Sequence, residues 1–116
     1  MNLHTSVEET IAAIATAISV GKGGIAVIRI SGKSAEKAAK TIVHTPGKQI
    51  WESHNILYGH VLDGKTQELI DEVLVLLMKA PRSFTGEDVV EIHCHGGLIA
   101  VQRVFQKILN IPEVRR

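Results

Sequence analysis

Three sets of residues carry chemistry against an apolar background: Arg29 within IAVIRIS, Glu91 within VVEIHC, and the trio His93, Cys94 and His95. A guanidinium inside an apolar strand is costly when unpaired, so Arg29 must reach solvent, a carboxylate or a ligand. Glu91 poses the same question with the opposite sign, and one answer to both is a structural ion pair between them. Imidazole and thiolate are good zinc donors. Side chains alternate along a strand, however, so Cys94 points away from the two histidines, and a closed site would need His54 or His60 from another strand. The pattern favours histidines satisfied within the strand, or lining a pocket, over a metal centre. Thr85, Glu87 and Asp88 have the residue types for acid–base work, but they equally form a turn that satisfies its own backbone, and no catalytic role is assigned to them. Gly21 to Gly24 reads as a tight turn: GKGG lacks the Ser or Thr of a P-loop, and GxGxxG is not matched. No nucleotide-hydrolysis motif occurs in the 116 residues.

The elements that position these residues follow from spacing. In Pro81 to Gly97, PRSFTGEDVVEIHCHGG, the turn types Arg82, Ser83, Thr85, Gly86 and Asp88 lead into a strand from Val89 to His95. Val89, Glu91, His93 and His95 share one face of that strand and Val90, Ile92 and Cys94 the other, so the apolar set faces a core and the carboxylate lies opposite it. Gly96 and Gly97 then mark a strand-to-helix junction whose backbone N–H groups can face a ligand. Leu98, Val101, Val104, Phe105, Ile108 and Leu109 recur at helical spacing, and the helix ends before Pro112.

Upstream, TIAAIATAI over 10–18 is ambiguous, since its alanines favour a helix by propensity. IAVIRIS is a buried strand, Gly32 breaks it, and Ser34 can cap a helix whose apolar side is Ala35, Ala38, Ala39, Ile42 and Val43. Pro46 and Gly47 form a turn. His54 to Leu62 reads as a strand, Asp63-Gly64 as a turn, and Ile70 to Ala80 as a strand whose continuous apolar character implies cover on both faces. Residues 113–116 lead toward a further strand. This order of elements predicts an α+β fold with a mixed sheet.

Three blocks in this order, ETIAAIATA, GGIAVIRISG and SFTGEDVVEIHCHGG, resemble the amino-terminal domain of the MnmE (TrmE) family of tRNA-modification GTPases, over nearly the whole chain. The sequence departs from the family pattern at ISVGKGG, where a PGRGG-like loop is usual, and it stops before the family's PGEF and LNGK-like segments. The resemblance implies a strand over 10–18. It also implies a mixed sheet with helices resembling the tetrahydrofolate-binding fold of aminomethyltransferases, with residues 1–116 forming a folate-binding and dimerisation domain. Arg29 and Glu91 fall on the family's folate-binding arginine and glutamate, and a carboxylate suits the donor edge of a pterin. The implied cofactor is a formyl- or methylene-tetrahydrofolate. GTP, magnesium and potassium would belong to a GTPase domain further along the polypeptide, so the hydrolase activity of such an enzyme is not expected in this segment. The implied partners are a second copy of the chain, the flavoprotein MnmG and tRNA, for modification of the wobble uridine. The alternative is a structural dimerisation module without folate.

Composition sets limits on these readings. At 116 residues and 45% hydrophobic content the chain suits one domain with an ordinary core. Its formal charge is only +1 with both signs interspersed, so it lacks the basic field that would by itself hold a nucleic acid. One cysteine excludes an intrachain disulfide and fits a reducing compartment. The longest apolar run, Val73 to Met78, is too short to span a bilayer, and no basic-then-apolar leader is apparent, so a soluble, cytoplasmic protein is expected.

Overall fold

The structure is a computed structural model that describes residues 9–15, 24–81 and 86–116. Among the described residues six strands and two helices follow one another as β1 (Thr10–Ile14), β2 (Ala26–Ser31), α1 (Ala35–Ile42), β3 (Ile56–Leu62), β4 (Leu69–Met78), β5 (Val89–Cys94), α2 (Gly97–Leu109) and β6 (Val114–Arg115). They form one mixed sheet in the order β3-β4-β5-β2-β1-β6, in which only the β1–β6 pairing is parallel. The α+β expectation therefore holds. The alanine-rich segment is a strand over its first five residues, because pairing with β2 overrides its helical propensity. Residues 16–23, including most of the first glycine loop, and 82–85 lie outside the described residues.

The ladder register fixes which side chains share a face. Ile28, Ile92, Val75 and Leu57 are mutual neighbours across β2, β5, β4 and β3, as are Ile30, Val90 and Leu77 one row on. These seven are at most 2% exposed and pack with Ala38, Ala39, Ile42, Val101, Val104 and Ile108 of the two helices in one core. Both helices thus cover the same face. Each such aliphatic side chain contributes about 1.5–3 kcal/mol by leaving water, which makes this face the main source of cohesion.

Three local expectations are corrected. Ser34 makes no side-chain capping bond at α1; its backbone N–H instead donates to the buried Thr10 Oγ1 at 3.0 Å, tying the helix start to β1. Leu98 is not part of the apolar side of α2, since it lies in the first turn and is 49% exposed. β4 is not covered on both faces: Val73, Val75 and Leu77 are buried, whereas Leu74 is 39% exposed, because no described helix packs on the second face.

The free side of β3 has its own contacts. Its backbone at His60 exchanges N–H to C=O bonds with His44, at 2.9 and 2.8 Å. The Tyr58 backbone N–H donates to Gln49 Oε1 at 2.6 Å, and Gln49 Nε2 donates back to the Tyr58 carbonyl at 2.8 Å.

Candidate functional site

Arg29 and Glu91 are directly opposed in the β2–β5 register, so the strand pattern that puts each on the second face also brings them together. Arg29 donates from Nε at 3.0 Å and from Nη2 at 2.6 Å to Glu91 Oε2. His93, two residues along the same face, lies with Nε2 3.1 Å from Glu91 Oε1. Glu91 is 7% exposed, flanked in its row by Leu76 and in the next by Val27 and Leu74. Burial pushes its carboxyl up, but the hydrogen bonds and charges of Arg29 and His93 outweigh that and hold it below the ordinary carboxylate value.

This arrangement binds better than it reacts. A carboxylate held ionised is a weak proton acceptor at neutral pH. Each of its oxygens has two lone-pair sites. Oε2 already accepts twice from Arg29 and Oε1 meets His93, so one site, on Oε1, stays open beside the existing partners, and a planar ligand with paired N–H donors would have to displace Arg29 or His93. The surrounding side chains of the second face, Leu74, Tyr58 and Ile56, are 39, 40 and 69% exposed and supply apolar surface on which a flat ring can rest.

The remaining candidates do other things. Cys94 is 1% exposed on the helix-covered face, and burial together with the Asp71 carboxylate pushes its thiol up to about 12, so at neutral pH it is a core thiol rather than a nucleophile or ligand. His95 leaves the strand and lies with Nδ1 3.2 Å from the Glu72 carbonyl, while His60 meets the Tyr58 hydroxyl at 2.9 Å. Among the described residues no group of three His, Cys, Asp or Glu converges on a metal-sized site. Asp88 acts as a turn residue: its Oδ1 accepts the Ala80 N–H at 2.8 Å and its carbonyl accepts the Gly32 N–H at 2.9 Å. Thr85 lies outside the described residues.

The glycine junction departs from expectation. The backbone N–H groups of His95 and Gly96 do not face a ligand; both donate to Asp71 Oδ2, at 2.9 and 3.2 Å. Asp71 is 6% exposed and supplies, from inside the protein, the anion that a helix N-terminus attracts. Gly96 is required by this closeness, since a Cβ there would stand 2.7 Å from the Ala100 Cβ and 3.0 Å from Asp71 Oδ1. Gly97 is required by its φ of +89°. The sequence did hold a signal for this contact: Asp71 has the same parity as Val73, Val75 and Leu77, a carboxylate on a core-facing row. The bond from His93 to Glu91 was likewise implicit in their two-residue spacing.

Residues 10–116 match the family model described as GTP-binding protein TrmE N-terminus. The chain is 64% identical over 109 residues to a protein named tRNA modification GTPase MnmE from Prochlorococcus marinus (strain MIT 9303), covering 94% of this chain and 23% of that protein. It is 67% identical over 108 residues to the protein of that name from Synechococcus sp. (strain WH7803), covering 93% and 24%. With the one from Prochlorococcus marinus (strain NATL1A) it shares 60% identity over 116 residues, 100% of this chain and 25% of the relative. The chain thus spans about a quarter of the length of these curated relatives. With a family model matched over almost its whole length, the chain belongs to the TrmE N-terminus family, that of the tRNA modification GTPases named MnmE.

Proposed function

We propose that this chain is the folate-binding and dimerising amino-terminal domain of a tRNA-modifying GTPase. Glu91 reads the pterin edge of a formyl- or methylene-tetrahydrofolate, and Arg29 orients that carboxylate or meets a ligand oxygen. The observation that carries the reading is a carboxylate held ionised at the centre of a sheet face that no described helix covers. The domain holds the one-carbon donor. The flavin of MnmG supplies redox chemistry when that partner is bound, and GTP with magnesium and potassium acts in a separate domain, for modification of the wobble uridine in the cytoplasm. This chain alone neither binds nor hydrolyses GTP, because its sequence contains no P-loop; saturable GTP binding in calorimetry would contradict that.

The test is fluorescence titration with formyl-tetrahydrofolate. Glu91→Ala removes charge-assisted bonds worth about 1.5–3 kcal/mol each, roughly a tenfold to hundredfold loss of affinity per bond. Glu91→Gln recovers little, since its amide presents a donor where the pterin also donates. Arg29→Ala weakens binding less. If the folded variants bind as tightly as wild type, the site is elsewhere.

A second reading, a dimerisation module without folate, is favoured by one specific fact: both Glu91 oxygens already have partners within the chain. On that reading wild type fails to bind folate while still self-associating, and Glu91→Ala lowers stability instead of affinity.

A further inference from the structure

The charges that alternate in the sequence are sorted by the fold. Lys37 and Lys40 stand on α1, Lys33 lies in the turn just before it, and Lys79 comes in from the end of β4, so that four lysines border one open groove of about 540 Å³. Glu36 lies among them but is shared by Lys40 and Lys79, each at 2.9 Å, and burial does not prevent these two from lowering its pKa. Lys40 also borders an adjoining groove of about 370 Å³ that runs to Lys107 and Gly64 and contains no carboxylate. Lys33 and Lys107 have no ion pair among the described residues. Five lysines therefore face Glu36, Asp88 and, through Lys37, Glu113: an excess of two positive charges on one ridge, against +1 for the whole chain.

We propose that this lysine ridge is a docking surface for the phosphate backbone of RNA. Its cations are ammonium groups, point charges suited to phosphate oxygens at varied angles. The internal ion pairs are surface pairs of low worth that phosphate can replace. The ridge lies on the helix side of the sheet, while Arg29, Glu91 and His93 lie on the other, so RNA and a ligand or second copy at the open face do not compete for space. The inference rests on the tRNA-modification part of the proposed function alone, independently of folate and of dimerisation.

The experiment measures binding of an unmodified tRNA transcript to the full chain by filter retention across a KCl series. Wild type is compared with Lys37→Gln/Lys40→Gln and with Lys48→Gln, an exposed lysine off the ridge. Loss of two phosphate contacts lowers the slope of log affinity against log salt by about 1.4 to 1.8, which is roughly a 25- to 60-fold loss at 0.1 M salt for an unchanged 1 M intercept. Lys48→Gln leaves the slope unchanged, and circular dichroism shows the same thermal midpoint for all three. Equal slopes for wild type and the double variant, or an equal loss with Lys48→Gln, would overturn the proposal. Retention of polyglutamate as tightly as tRNA would assign the ridge to an acidic protein and overturn it as well. Formyl-tetrahydrofolate titration of the double variant separates the two proposals, since failure of the folate site leaves the salt slopes as they are.

Discussion

Along β4 the residues Val73, Val75 and Leu77 are at most 1% exposed, while their immediate neighbour Leu74 is 39% exposed and Leu76 is only partly covered. The same alternation runs across the sheet, so one strand set serves two surfaces with different physics. On the helix side the side chains are fixed by volume and by what the helices bring. On the open side a charged cluster is completed within the sheet itself, by cross-strand and same-strand neighbours, and the apolar residues around it keep surface in contact with water. Cohesion and the proposed recognition are thereby separated by a single residue step, and a substitution should reveal which face it strikes by whether it costs stability or affinity.

The largest effect is expected on the helix side. Ile28→Ala removes three methyl-scale groups from a site with no exposure and should cost about 2–5 kcal/mol in urea unfolding. Asp71→Ala comes next, because it leaves the N–H groups of His95 and Gly96 without their acceptor, at about 1–3 kcal/mol. Leu74→Ser, on the open face, should change the stability of the dilute monomer by less than about 0.5 kcal/mol. It should nevertheless weaken the proposed self-association, as read by light scattering at rising concentration. If Leu74→Ser unfolds the monomer, the contrast between the faces is wrong. A chain that stays monomeric at high concentration while folded would remove the second copy from the proposal.

The smallest effect is the pH dependence of the cluster. Glu91 titrates below its ordinary value of 4.5 in the folded protein, so its stabilisation is complete above that value and is lost as the pH falls through the lower folded value. The stability difference between wild type and Glu91→Gln should shrink as pH drops below about 4.5. A difference that grows in acid would show that Glu91 is held protonated rather than ionised.

Most of the sheet was legible because its strands alternate: parity alone put Glu91 opposite Ile92 and Cys94, and the α2 positions Val101, Val104, Phe105 and Ile108 declared a helix by spacing. What was not legible depended on partners distant in the chain. The continuous apolar run of β4 cannot show whether both its faces are covered, since that is decided by where the helices land. Asp71 satisfies N–H groups 24 and 25 residues away, and no local pattern announces such a bond. The lysine ridge failed to appear in composition because net charge averages over surfaces that the fold keeps apart. The arginine–glutamate meeting was anticipated as one possibility, and only strand register could decide it.

The side-chain amide of Gln49 and the backbone of His44 occupy the outward N–H and C=O groups of Tyr58 and His60, in the middle of β3. A bare outer strand is a template on which another chain can add itself as the next strand, the route by which sheets run on into fibrils. Here that template is already filled in its central stretch. Open-ended strand addition is therefore blocked along the middle of β3, which leaves the proposed self-association to the apolar face. Gln49→Ala would reopen part of the template, and its signature would be a lag followed by thioflavin-positive growth that wild type lacks.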